Sequence, residues 1–214
     1  MIISDPAILR VSPALLAVAC PGVAQSELEA WMDPIKQACQ RYGITGAKHV
    51  CAFIAQVAHE SQGLTRTAEN LNYTAARLTQ VWPKRFPTPE AAAPYAHAPE
   101  KLANLVYAGR NGNGNTASGD GWRFRGGGPL QVTGRANWTA FAASVNMPLN
   151  SVMSWAATKA GGMMSAAWFW SVNGINALVD TPGEEDETKA INGGLEGLAA
   201  RKKLYHALLA QFGG

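Results

Sequence analysis

The run from Ala47 to Glu60, AKHVCAFIAQVAHE, constrains the fold more tightly than any other stretch of the chain. Val50, Ile54, Val57 and Ala58 recur at the 3.6-residue period of an α-helix, so the segment presents an apolar face to a core. His59 points away from that face. Glu60 lies at its edge, seven residues after Phe53 and four after Gln56, so its carboxyl emerges between packed apolar matter and open space. Desolvation there raises a carboxyl pKa and suits it to donating a proton near neutral pH.

A second carboxyl, Glu69, follows nine residues later. In an unbroken helix it would sit half a turn round and roughly 13 Å up the axis, out of reach of a shared substrate. Gly63 supplies a C-terminal stop, and Leu64-Thr65-Arg66-Thr67 can carry Glu69 back across the helix end. Two carboxyls on separate elements can then flank a cleft. An inverting glycoside hydrolase needs an acid and a base about 6.5–9.5 Å apart, with the attacking water between them. Most pairs of glutamates at this spacing are ordinary surface charges, so the pattern alone permits this chemistry without selecting it.

With 214 residues, 47% hydrophobic and 15% charged, the chain suits one large domain or a domain with a small lobe. The net charge of +3 and pI of about 8.8 are compatible with an anionic polymer such as a bacterial wall and too modest to argue for nucleic acid. Cys20, Cys39 and Cys51 are odd in number and irregular in spacing, unlike a secreted disulfide framework. The segment LLAVAC is similar to a lipoprotein cleavage box, but Asp5 and Arg10 stand where a basic run belongs and Pro13 interrupts the apolar core, so no export signal is expected. No stretch approaches the ~18–20 apolar residues of a membrane span.

Residues 1–25 read as a short helical lead-in ending at Pro21-Gly22. Ser26 and Glu29 form a capping box for a helix ending near Gly43, with Trp31, Ile35 and Ala38 or Cys39 buried and Pro34 marking a kink or a second start. Thr74 caps a helix through Trp82; the five prolines of residues 83–100 indicate mostly loop; Pro99-Glu100 opens a helix through Tyr107. Asn111 to Gly121 is the most turn-rich part and reads as an ordered cleft loop. RFRGGGPLQVTG reads as extended, part of a small hairpin that brings Gln131 and Thr133 to one face. Gly134 to Val145 and Ala160 to Val172 are predicted helices, Trp168, Phe169 and Trp170 belonging to a core more readily than to a sugar platform. Glu184 to Glu187 reads as a solvated acidic turn. The last helix, Leu198 to Phe212, places Leu198, Tyr205, Leu208 and Phe212 beneath Arg201, Lys202 and Lys203.

Four segments in this order, AQVAHESQGLTRTAENLNY, GDGWRFRGGGPLQVTGRANW, AAWFWSVNGIN and INGGLEGLAAR, resemble the successive motifs of the family 19 glycoside hydrolases, and more narrowly of their lysozyme-like bacteriophage endolysin branch. The similarity covers roughly residues 26–210 and implies a catalytic domain over 26–214. By that resemblance Glu60 is the general acid, Glu69 the general base, and Thr133 the hydroxyl that helps hold the water. Gln131 and Asn192 hydrogen-bond sugar, with Tyr73 and Trp122 as further substrate contacts. Glu196 and Arg201 match a carboxylate and an arginine near the base, where a cation would keep Glu69 ionised. The family commonly has Arg-Gly-Arg-Gly where this chain has Arg125-Gly126-Gly127-Gly128, so Arg110, Arg123 or Arg125 must replace the second arginine, or it is missing.

The implied fold is mainly α, a lysozyme-like α+β single domain with a small β-hairpin lobe and a substrate cleft. The implied activity is inverting cleavage of the β-1,4 glycan strands of peptidoglycan in host cell lysis, needing no metal and no cofactor. A monomer is expected, cytoplasmic in the producing bacterium, released through a holin-type partner, and taking no nucleic acid and no stable membrane insertion. Chitin is the alternative substrate, and a non-catalytic saccharide-binding protein the non-enzyme alternative. His59-Glu60 does not complete the HExxH of a zinc peptidase, and Cys51 falls on the apolar helix face, against a cysteine-histidine amidase.

Overall fold

Prolines set the entry of the chain. In the computed structural model, which describes residues 3–181 and 185–213, Pro6 and Pro13 stand in the first turns of α1 (Pro6–Leu9) and α2 (Pro13–Ala19), where the missing N–H costs nothing. Asp5 and Ser12 cap the two helices through bonds to Ala7, Ile8 and Leu15. Ile8, Leu16 and Cys20 are buried in the main core, so residues 3–25 pack as part of the large body. Next comes α3 (Gln25–Arg41), one helix running through Pro34, with Trp31, Ile35, Ala38 and Cys39 all buried. The capping box expected at Ser26 is not used. The Leu28 N–H already bonds to the Ala24 carbonyl, so the helix is under way before Ser26 and starts without a side-chain cap.

The central element is α4 (Gly46–Glu60), and it is more enclosed than a one-faced helix: every residue from Val50 to Ala58 is buried. Ala52, Ala55 and Ala58 keep its outline slim enough for neighbours to close around it. Cys51 is fully buried, and burial pushes its thiol up to about 12, so it is a small core residue and not a nucleophile.

Beyond α4, a smaller lobe gathers α5 (Ala75–Val81), capped by Thr74, with α6 (Pro89–Ala92), α7 (Pro99–Val106) and α8 (Asp120–Arg123). Leu71, Leu78, Phe86, Leu102 and Val106 form its core, with Tyr73, Trp82, Tyr107 and Trp122 packed against them. The proline-rich stretch is thus less irregular than its composition suggests. A third cluster joins α9 (Arg135–Ser144), α10 (Leu149–Ala156) and α11 (Lys159–Val172) around Trp138, Phe141 and Trp168. The chain closes with α12 (Ile175–Val179), α13 (Asp186–Asn192) and α14 (Leu198–Ala210). Helix α11 packs along α3, and α14 along α4. Of the expected acidic turn, Glu184 lies outside the described residues, Glu185 and Asp186 are exposed, and Glu187 is buried on α13.

The expected β-hairpin lobe is absent among the described residues; the small lobe is helical. Gly127 and Val132 exchange two backbone bonds, of 3.1 and 2.9 Å, and Gly127 also pairs with Ala68, but these remain isolated bridges. The reason is local. Gly128 (φ +71°) and Gln131 (φ +52°) leave the extended region, Pro129 has no donor, and three successive glycines offer no side chains for a ladder. Gly128 is also required by close approach: a Cβ there would stand 2.4 Å from Ser165 Oγ and 3.0 Å from the Gly162 carbonyl of α11.

The turn-rich loop is ordered by one buried carboxylate. Asp120, 1% exposed, takes Arg135 Nε at 2.8 Å and Nη2 at 2.5 Å, and accepts the Gly114 N–H at 2.9 Å. The Arg135 hydrogen bonds, with help from the Gly114 N–H, hold its pKa below the ordinary carboxylate value against the opposing effect of burial. A depressed folded pKa means that Asp120 stabilises the fold fully above its unfolded value, about 3.9. That contribution fades as pH falls from there through the folded value. Asp120→Asn should therefore lower the urea midpoint by a constant amount above about pH 5, and the gap to wild type should shrink below about pH 4. A gap that stays constant down to the acid limit would show that the charge of Asp120 does not order this loop.

Candidate active site

Glu60 is the last residue of α4, where the helix leaves the main core. Its side chain is 23% exposed, and its Oε1 accepts a hydrogen bond from Arg201 Nη2. Arg201, on α14, is only 4% exposed. A buried guanidinium must spend its donors, and Arg201 also reaches Gln56 Oε1 at 2.5 Å and the Glu196 carbonyl at 3.3 Å. Gln56 in turn donates to Thr188 Oγ1 at 3.2 Å. Glu60 Oε2 has no hydrogen-bond partner among the described residues. Burial, then the Arg201 charge, lowers the pKa of neighbouring His59, while Glu60 and Glu196 pull it the other way.

The helix then stops. Ser61 Oγ donates to the Val57 carbonyl and accepts the Leu64 N–H, and Gly63 (φ +73°) turns the chain. Leu64 belongs to the main core and Leu71 to the small lobe, so Glu69 lies on the crossing between them. Its backbone is fixed by the bond from its N–H to the Gly126 carbonyl, 3.1 Å, beside the Ala68–Gly127 bridge. Its carboxylate has two donors: the Tyr107 hydroxyl to Oε1, and the Gly126 N–H to Oε2 at 3.2 Å. Burial, then the bond to Glu69, pushes the Tyr107 phenol well above its ordinary value, so it remains a donor across the physiological range. Gly126 sits close under both side chains: a Cβ there would stand 2.6 Å from Gln131 Oε1 and 3.4 Å from Glu69 Oε2, so Gln131 would have to shift.

Gln131 thus lies beside Glu69, its amide donating to the Gly128 carbonyl at 3.0 Å. Thr133 donates its hydroxyl to the Gln131 carbonyl at 2.8 Å, which leaves the oxygen able to accept. Tyr73 acts electrostatically on Tyr107 and packs edge-on to Trp82. Trp122 is covered by the Arg125 guanidinium 3.7 Å above its ring. Asn192 is exposed and uses its amide within its own turn, toward Gly194 N and the Glu196 carbonyl. Glu196 is exposed, and its carboxylate bears on His59.

Two placements differ from the sequence reading. Arg201 binds Glu60, not Glu69, and it is buried instead of lying with the exposed lysines, because the amide and carboxylate on α4 satisfy it from 145 and 141 residues away. The place of the missing arginine, Gly127, is packed on Trp138, with a Cβ position 3.0 Å from Cζ2. Arg123 and Arg125 instead line a cleft of about 230 Å³ beside it, and Arg110 bears on Tyr107. Sequence reading missed Tyr107 and the Gly126 N–H, and nothing local marks either. It passed over Gln56 as a partner, although an amide in the midst of an apolar helix calls for buried hydrogen bonds.

A hydrogen bond to a charged group contributes about 1.5–3 kcal/mol, so Tyr107→Phe should cut kcat by roughly 10- to 100-fold if Glu69 works as a carboxylate. A kcat within twofold of wild type in a stopped glycan-cleavage assay would remove Tyr107 from the site.

A scan against models of known protein families finds no match. A curated protein of Haemophilus influenzae, described as a glycosyl hydrolase family 19 domain-containing protein, is 38% identical over 170 residues, spanning 79% of this chain and 83% of that protein. Among solved structures, a bacterial family 19 chitinase has a TM-score of 0.61 at 19% identity, covering 95% of both chains. Chitinase C of Streptomyces griseus gives 0.61 at 19% identity, over 97% of this chain and 95% of that one. A class IV family 19 chitinase of Zea mays gives 0.59 at 18% identity, over 94% and 92%. The solved structures share the fold, the curated relative shares the sequence, and the chain belongs to glycosyl hydrolase family 19 and is a glycoside hydrolase.

Proposed function

We propose that this glycoside hydrolase is an endolysin that cleaves the β-1,4 glycosidic bonds of bacterial peptidoglycan with inversion at the anomeric carbon. The observation that carries the acid/base reading is that two carboxyls, one at the end of α4 and one on the crossing that follows it, are held in different ways. Glu60 is anchored through one oxygen by Arg201. Glu69 receives a hydroxyl and an N–H donor.

In this scheme Glu60 Oε2 carries the proton to the leaving glycosidic oxygen as that bond breaks. Glu69 takes a proton from the water that attacks the anomeric carbon from the opposite face. Two carboxyls of opposite protonation state complete the reaction without a cofactor. The donors to Glu69 and the Arg201 contact to Glu60 fix the direction of each carboxyl. Thr133, whose hydroxyl bonds to the Gln131 carbonyl, helps hold the water. Gln131, Asn192, Tyr73 and Trp122 are assigned to sugar contacts, and Glu196 supports the Arg201 end.

The bacterial relative and the basic balance of the chain support a wall substrate. Chitin is the second reading, favoured by the chitinases that share the fold. Under the endolysin reading the enzyme acts as a monomer, accumulates in the cytoplasm of the producing bacterium and depends on a holin-type membrane partner for release. Efficient export without such a partner would contradict that dependence.

Mass spectrometry of products from purified peptidoglycan and from chitin oligomers tests the substrate. New reducing-end disaccharide-peptides are expected from the wall, with rates reduced at least about 100-fold in Glu60→Gln and Glu69→Gln. Cleavage of chitin alone would move the assignment to a chitinase, and binding without cleavage of either polymer would leave a saccharide-binding protein.

A further inference from the structure

Beside the small lobe lies an open groove of about 630 Å³, walled by Trp82 and Pro83 and edged by Lys84, Arg85 and Arg110. All three cations are exposed. Among the described residues none of them takes part in an ion pair. Arg85 donates only to a neutral carbonyl, that of Leu105 at 3.2 Å, and no acidic residue lines the groove. In a chain whose net charge is only +3, this is a local concentration of one sign. Three exposed cations without a counter-charge present a positive field to an anionic ligand.

The groove adjoins the base carboxylate. The Trp82 ring packs edge-on against Tyr73, with centroids 5.6 Å apart. Tyr73 and Arg110 both act on the Tyr107 hydroxyl, which donates to Glu69. An occupant of this groove is therefore within reach of a sugar held at Glu69, and the simplest anion in that place is one tethered to the substrate.

We propose that the groove binds the carboxylate-bearing stem peptide of peptidoglycan, Trp82 giving an apolar wall and Lys84, Arg85 and Arg110 the counter-charge. This deepens the reading of the substrate as peptidoglycan and rests on it. Chitin carries no such branch, so the groove selects stemmed glycan over neutral polymer.

The test compares kcat/KM on intact peptidoglycan and on the same glycan freed of its peptides by an amidase, with chitin oligomers as a third substrate. Arg110 is left native because of its contact with Tyr107. Wild type should prefer the stemmed glycan, and Lys84→Gln/Arg85→Gln should lower that preference roughly three- to tenfold, the size expected of two exposed charge contacts. Lys84→Glu, a change at an exposed side chain, should lower it at least as far, and added salt should erode it in wild type. An unchanged preference in both variants, or equal rates of wild type on stemmed and stripped glycan, would overturn the groove assignment while leaving peptidoglycan as substrate. Cleavage of chitin with neither wall glycan cut would overturn both.

Discussion

The buried guanidinium of Arg201 is the interaction on which the site depends. A charge taken out of water must be satisfied where it lies, and leaving a buried partner unpaired costs about 3–5 kcal/mol. Arg201 is satisfied by Gln56 and Glu60 of α4 and by the Glu196 carbonyl at the entry to its own helix. The last helix must therefore dock on the central one in a single register. The same bonds that close the C-terminal part of the fold also fix the direction of Glu60, so fold and site share one constraint.

Glu69 depends on a different set of elements. Its donors come from Tyr107, at the end of α7, and from the glycine segment that crosses behind it. That segment has given up regular pairing for close approach: Gly126 leaves room beside Glu69, and Gly128 lets the turn lie on α11. The crossing from Leu64 in the main core to Leu71 in the small lobe carries the carboxylate between two bodies, each with its own apolar cluster. Glu60 and Glu69 are thus anchored on separate packing units, the first through Arg201 of α14 and the second through Tyr107 and the glycine segment.

Local patterns made much of this legible. The period of α4, the Thr74 cap, Pro99 at the start of α7 and the aromatic run of α11 all lead to helices within a residue or two of those observed. The distant pairings were not legible. Arg201 reads as one of three exposed cations because charge usually marks solvent, and only partners more than 140 residues away reverse that. Glu187 likewise reads as solvated and is buried on α13. Asp120 is hidden in a loop of turn residues until Arg135 closes on it from 15 residues away. The β-hairpin lobe is what the family resemblance implies, but positive φ at Gly128 and Gln131 stops pairing after one bridge. Helix α10 starts without a side-chain cap, and it is held by Val152 and Ala156 in the cluster around Phe141.

The central claim is that Glu60 and Glu69 act as acid and base across a water and do not form a covalent intermediate. Proton NMR of the anomeric signals in the first minutes of hydrolysis of a defined β-1,4-linked wall oligosaccharide, before mutarotation, tests it directly. The α-anomer as the initial product is the result this account predicts. Initial release of the β-anomer would mean retention and would contradict the assignment of Glu69 as a base acting through water.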